Sequence, residues 1–378
     1  MRITAQLIEA RSDVHLWAEN YDRNLDDIFA IQTDVAQRIV EALRVQLSPR
    51  EKARIAERPT ESVEAYQWFL RGRYFLAKRT EEALRLGIEQ FRKAVEEDPS
   101  FAQAWAGIAD GYALLPSYSP APAAEASAEV RSAAEHALAL DPGLGEAHAA
   151  LGMAAQNLWQ TAEADREFRR AIQLSPGYAT AHHWYGVFLS TLGRHDEAIA
   201  ELLRALELDP LSLPVHNGLG TAYGFAGRTD DAIQTYRKVL EMDPGYVVGH
   251  LNLAETFDAL DRCEEATEEW SAVSKVQPQR MPSDVVAELR SGYETGGGRG
   301  YWKAWLAALR SREGFHDQPF YMAIACAKLD RVDEAFEWLD RLVAARDPIA
   351  PQISGHPSFD AIRSDPRYEV LLRRINLA

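Results

Sequence analysis

Four histidines, His148, His182, His216 and His250, recur at one constant interval along the chain. Imidazoles at a fixed interval first suggest a shared metal ion, for which neutral imidazole is a common ligand. Such coordination puts each nitrogen about 2 Å from the ion, whereas stacked helix pairs keep their axes roughly 8–10 Å apart. Trp105 fills the same place one unit earlier and cannot ligate. The column therefore reads as packing by a flat ring, and His183 and His195 add no HExxH or carboxylate spacing. Gly296-Gly297-Gly298-Arg299-Gly300 could cradle a phosphate, but a P-loop needs GxxxxGK[ST] after a strand and neither is present. The run reads as an interhelix turn. No GxSxG elbow, SxxK or HRD/DFG set occurs. Cys263 is expected in a solvent-facing turn, and the acidic residues after it raise a thiol pKa rather than lower it. Lys52, Arg54 and Arg58 alternate with Glu51 and Glu57, as on a solvated helix face. These residues predict no catalytic centre, no metal and no cofactor, hence no enzyme.

The elements that carry these residues follow a repeat. Pro142, Pro176, Pro210, Pro244 and Pro278 keep the same interval as the histidines. Pro99 precedes Pro142 by a longer step, the excess falling in a Pro/Ala-rich loop expected around Pro116 to Ala124. Between prolines each unit reads as two amphipathic helices. One column holds Ala109, Gly152, Gly186, Gly220 and Ala254, and a later one in the second helices holds Phe168, Leu202, Tyr236 and Trp270. Spacings of three and four place each set on one face, where small residues admit large ones. Gly193 and Gly227 suit the left-handed residue after a first helix, and Asp196-Glu197, Asp230-Asp231 and Glu264-Glu265 suit the positive end of the next.

This pattern resembles the tetratricopeptide repeat, a helix-turn-helix of about 34 residues, over Phe101 to Pro278. The resemblance implies a mainly α fold, a right-handed α-solenoid. Its array spans residues 59–278, with an irregular first unit at 60–99 and five regular units at 101–278. Residues 279–378 read as degenerate helix pairs and a C-terminal cap. Residues 1–50 differ: Arg2 to Glu9 and Val14 to Tyr21 alternate as strands around an Arg11-Ser12-Asp13 turn, and a helix runs from an Asn24 cap to about Leu47. That stretch resembles the C-terminal half of the TolB-like (FlgO-like) α/β domain of bacterial signalling proteins. The family's earlier strands are absent, so the chain is expected to be a fragment or to begin at a late start codon. The open strand edge makes a homo-oligomer an option.

With 57 acidic and 41 basic residues the net charge is -16, which argues against tracking a nucleic-acid backbone. The two cysteines, Cys263 and Cys326, stand far apart with no CxxC and form no disulfide framework. No apolar run approaches the roughly 20 residues of a membrane span, and no secretory leader opens the sequence, so a cytoplasmic location is expected. By resemblance the first helices line a concave peptide-binding groove. Its facing residues are Gln103, Asp110, Met153, Gln156, His183, Val187, Asn217, Thr221, Phe225, Leu251, Glu255 and Asp258. The five first helices carry no Lys or Arg from Ala102 to Leu260. The expected partner is therefore a neutral, apolar or mildly basic protein segment rather than a peptide carboxylate. The expected role is a protein-interaction scaffold in bacterial signalling. The alternative is the sensory or regulatory C-terminal region of a larger adenylate cyclase-type protein or transcriptional regulator.

Overall fold

A hairpin opens the structure, a computed structural model that describes residues 2–9, 14–22, 28–42, 58–119, 122–312 and 319–377. Strands β1 (Arg2–Glu9) and β2 (Val14–Asp22) pair antiparallel, Leu7 opposite Trp17, with an irregularity between Leu7 and Ile8. Helix α1 (Ile28–Ala42) covers β2, and the Tyr21 hydroxyl donates to Asp34 at 2.6 Å. Phe29 packs on Tyr66 of the next helix with ring centroids 4.8 Å apart, so the hairpin unit is seated on the first repeat. The Arg11-Ser12-Asp13 turn, the Asn24 cap, the helix end at Leu47 and the basic pair Lys52 and Arg54 lie outside the described residues.

Six helix pairs follow. They are α2 (Val63–Ala77) with α3 (Glu81–Glu97), α4 (Ala102–Tyr118) with α5 (Ala123–Leu140), and α6 (Gly145–Asn157) with α7 (Thr161–Leu174). Then come α8 (Ala179–Thr191) with α9 (His195–Leu208), α10 (Leu213–Phe225) with α11 (Thr229–Met242), and α12 (Val247–Ala259) with α13 (Cys263–Val276). Each pair packs on the next, which makes an α-solenoid. The gap-and-knob columns meet as the spacing predicts. A Cβ added at Gly152 would lie 2.7 Å from the Phe168 ring, and one at Gly220 would lie 2.5 Å from Tyr236. Phe168 is fully buried there, worth roughly 2–3 kcal/mol in transfer free energy.

The ring column has a second duty beyond packing. His182, His216 and His250 bring Nε2 to the carbonyls of Pro176, Pro210 and Pro244 at 3.1, 2.9 and 3.1 Å, and Trp105 donates its indole N–H to Pro99 at 3.0 Å. Each ring thus ties the proline turn to the helix that follows it. His148, His182 and His250 reach across with Nδ1 to Glu167, Glu201 and Glu269 on the second helices at 2.8, 2.6 and 2.6 Å. No three His, Cys, Asp or Glu side chains among the described residues are grouped to hold a metal ion.

The helix-to-helix turns within pairs turn on a left-handed residue. Glycine supplies it at Gly193 (φ 73°) and Gly227 (φ 74°), but Arg79, Trp159, Asp261 and Asp330 take it elsewhere at φ 53–60°. A side chain in that region costs roughly 1–2 kcal/mol. The excess after Pro99 is not a loop. It is absorbed mostly as one more turn on each of α4 and α5, which have 17 and 18 residues where their counterparts α6 and α7 have 13 and 14. The stretch is alanine-rich, and Pro116 sits in the last turn of α4.

Beyond Pro278, α14 (Ser283–Ser311) breaks at Gly297 (φ 58°, ψ -152°), and its two halves fold back on each other. A Cβ on Gly300 would sit 2.0 Å from the Gly292 carbonyl, so only glycine permits that approach. Helices α15 (Pro319–Lys328) and α16 (Val332–Ala344) form a further pair. Two 3₁₀ turns, Ala350–Ser354 and Pro357–Ile362, and α17 (Pro366–Arg374) end the described chain. No helix among the described residues is long and apolar enough to cross a membrane.

Candidate functional site

The concave side holds two adjoining hollows that share Pro214 and Tyr246. The first, about 540 Å³, runs from Arg73 on α2 and the α2–α3 turn (Lys78, Arg79) past Asp110, Leu114, Tyr178 and Trp184 to the turns at Asp209–Pro214 and Asp243. The second, about 290 Å³, is lined by Tyr118, His183, Val187, Asn217, Thr221, Phe225, Tyr236, Asn252, Glu255 and Thr256. Together they form one trough along α4, α8, α10 and α12. The extra turn on α4 is what carries Tyr118 into it.

The far end of the trough is closed by the chain itself. Gln352, His356 and Pro357 form its end wall. Ser354 donates to the Thr191 carbonyl at 2.7 Å, and a Cβ on Gly355 would stand 2.7 Å from the Phe225 ring. His356 meets Phe225 edge-on at 6.4 Å and Phe320 at 5.2 Å. Further along, Asn376 donates its amide to the Trp159 carbonyl at 3.1 Å and accepts from Thr161 through its own carbonyl at 3.4 Å. Ile353, Phe359 and Ile362 are buried in the core that also takes Trp159. The C-terminal segment is thus a packed wall, anchored to the turn between α6 and α7.

The structure brings together only part of the residue set that the sequence puts in the groove. His183, Val187, Asn217, Thr221, Phe225 and Glu255 line the second hollow, and Asp110 lines the first. Gln103 lies in a separate acidic recess with Glu61, Glu97, Asp98, Asp141 and Glu146. Met153, Leu251 and Asp258 are buried instead of groove-facing, and Gln156 lines neither hollow. Asp258 is claimed by α13 and α14: it accepts from Trp270 Nε1 at 3.0 Å and from Tyr301 at 2.6 Å. Cys263 is buried too, not solvent-facing, and burial pushes its thiol up to about 11.

Burial sets the charge states along the trough. It drives Asp110 up to about 7, against a hydrogen bond from Tyr178 at 2.9 Å, and leaves Asp110 Oδ1 without a partner. It lowers His183 to about 3, with the nearby Arg79 guanidinium acting in the same direction, so this ring is neutral. Glu255 is raised by burial while it accepts from Tyr321 at 2.5 Å. Asn217 Oδ1 is buried with no hydrogen-bond partner. The trough therefore has Arg73, Lys78 and Arg79 beside Asp110, Asp209 and Asp243 in its first hollow, and Glu255 among neutral groups in its second. Nothing among its described residues pairs a nucleophile with a base.

Sequence reasoning passed over Arg73, Lys78, Arg79, Tyr118, Tyr246 and the end wall. Lys78 and Arg79 fall in the irregular first unit, where the repeat spacing breaks. The prolines at 348, 351, 357 and 366 signalled that no long helix continues there.

Family models described as the tetratricopeptide repeat match residues 177–245 and 226–289. "Putative adenylate cyclase 3" of Rhizobium meliloti (strain 1021) is 41% identical over 112 residues, 29% of this chain and 18% of that protein. The chain therefore spans about a fifth of the length of the curated relative it matches. Among solved structures, a human IFIT1 dimer with m7Gppp-AAAA matches 82% of this chain and 76% of its own at TM-score 0.52 and 17% identity, a likeness of fold. Pseudomonas aeruginosa pilF matches 57% of this chain and 94% of its own at TM-score 0.44 and 22% identity. Residues 177–289 carry tetratricopeptide repeats, an architecture that generally mediates protein–protein interaction.

Proposed function

We propose that the chain is a non-enzymatic interaction module that holds a segment of a protein partner in the concave trough, within a bacterial signalling or regulatory system. The observation that carries this reading is the trough itself. First helices of four units converge on a two-part hollow whose floor offers aromatic, aliphatic and hydrogen-bonding groups without a catalytic set. Peptide recognition needs that mixture of shape and partly unsatisfied polar groups. A photo-crosslinking residue placed at Val187 should trap a partner in cells of the source organism. The same residue at Arg204, exposed on a second helix, should not. Equal adducts from both positions, or none from Val187, would sink the reading.

The likeness to the Rhizobium meliloti protein favours a second reading, in which this module is the regulatory region of a larger cyclase-type protein. In that case the trough would answer to a segment of the same polypeptide. The 112 matched residues support it. Fusion to the gene encoded upstream, followed by assay of cyclic nucleotide production, tests it.

A further inference from the structure

The trough is directional, which a through-running repeat groove is not. Arg73, Lys78 and Arg79 line one end beside Asp110, Asp209 and Asp243, and Gln352 and His356 of the C-terminal segment line the other. Arg73 and Arg79 make no ion pair among the described contacts, although 41 basic residues face 57 acidic ones in this chain and other arginines of the array are paired. Arg79 also holds a left-handed backbone position that two other units give to glycine. Strain kept at a residue whose side chain faces a cavity points to use of that side chain. At the blind end Asn217 Oδ1 is a buried acceptor without a partner, and the one carboxyl is Glu255, which already accepts from Tyr321. No Lys or Arg lines that second hollow.

We propose that the trough takes the amino end of an acidic polypeptide segment. The terminal ammonium sits at Glu255 and Asn217 in the blind end, and the carboxylates sit at Arg73, Lys78 and Arg79 in the mouth. An ammonium supplies the donor that Asn217 Oδ1 lacks and adds a charge-assisted bond to Glu255, and such bonds are the stronger kind. A carboxyl end entering first would put its charge against Glu255 with no cation to balance it. The end wall prevents the segment from passing through. This rests on the groove reading above and changes the expected partner from neutral or mildly basic to acidic, because the cations come from the irregular first unit rather than from the five regular first helices.

The test uses the full chain and a random octapeptide library held by its carboxyl ends, with amino ends either free or acetylated. Expected are Asp and Glu enrichment in the outer positions and a loss of binding of about tenfold or more on acetylation. Arg73→Ser with Arg79→Asn, Asn being tolerant of the left-handed turn, should abolish the acidic preference while the melting curve is unchanged. Glu255→Gln, which keeps the Tyr321 contact, should abolish the free-amine preference. Enrichment of basic peptides, or equal binding of acetylated ones, overturns the proposal and leaves the groove reading standing. Binders indifferent to Asn217→Arg in the floor overturn both.

Discussion

The repeat array from Ala102 to Val276 and the region from Ser283 to Leu377 are built from the same unit, a helix pair, but are held together differently. In the array each pair closes on itself: Phe168 enters the gap at Gly152, Tyr236 the gap at Gly220, and a ring nitrogen reaches the proline turn just upstream. Cohesion is local and repeats. In the C-terminal region cohesion is long-range and occurs once. Asp258 gathers Trp270 and Tyr301, Tyr301 accepts from Trp305 at 3.2 Å, and Lys328 bonds the Ala259 carbonyl at 2.8 Å. Asn376 then reaches back across most of the array to Trp159. Local cohesion makes a scaffold of any length, whereas the single set of long-range contacts gives this one an end wall and hence a site with a direction.

The sharpest way to break this contrast is to remove a knob from the array. Phe168→Ala leaves a cavity against glycine, which cannot fill it, and should cost roughly 3–5 kcal/mol in urea unfolding. In a locally bonded array hydrogen exchange should rise in α6, α7 and α8, where Phe168 also meets Tyr185 and Phe188, and little beyond. Uniform loss of protection across all units would show that the array is no more local than the C-terminal region.

Asp258 tests the other half. Asp258→Ala strands the Tyr301 hydroxyl and the Trp270 indole and should cost roughly 2–4 kcal/mol. Asp258→Asn keeps an acceptor and should cost less. Burial raises this carboxyl from 3.8 to about 7 in the fold. A raised folded pKa means that its contribution to stability is fully present below about pH 4 and is lost as pH rises through 7. Between pH 5 and pH 8 the wild-type melting temperature should therefore fall relative to that of Asp258→Asn. Parallel curves would remove Asp258 from the account of how the last regular unit binds the worn pair.

The same contrast explains what the sequence could reveal. The Gly152/Phe168 and Gly220/Tyr236 partners are legible because a constant period superposes them, and the left-handed turns are legible where glycine fills them. Trp159 and Arg79 occupy the same turn position without the glycine mark, so their strain is invisible in a single sequence. Contacts such as Ser354 with Thr191 and Asn376 with Trp159 occur once and leave no periodic trace. Leu251 and Asp258 have groove-facing spacing, yet both are buried, Asp258 against Trp270 and Tyr301, which register alone does not reveal. Part of the trough wall was readable for this reason, and the blind end was not.

The ring column gives the smallest and most graded test. His182 bonds both Pro176 and Glu201, while His216 bonds Pro210 alone because Thr235 stands where its neighbours have Glu. At about 1 kcal/mol per bond, His182→Ala should cost roughly 1–2 kcal/mol and His216→Ala about half of that. His250 resembles His182, and its contact with Glu269 raises its pKa above the usual 6.5. Its share of the stability is thus complete below pH 6.5 and fades as pH rises through the higher folded value. The cost of His250→Ala should shrink from pH 6 to pH 8. Equal costs for all three at both pH values would mean that the column packs as rings only and that the proline turns are held by something else.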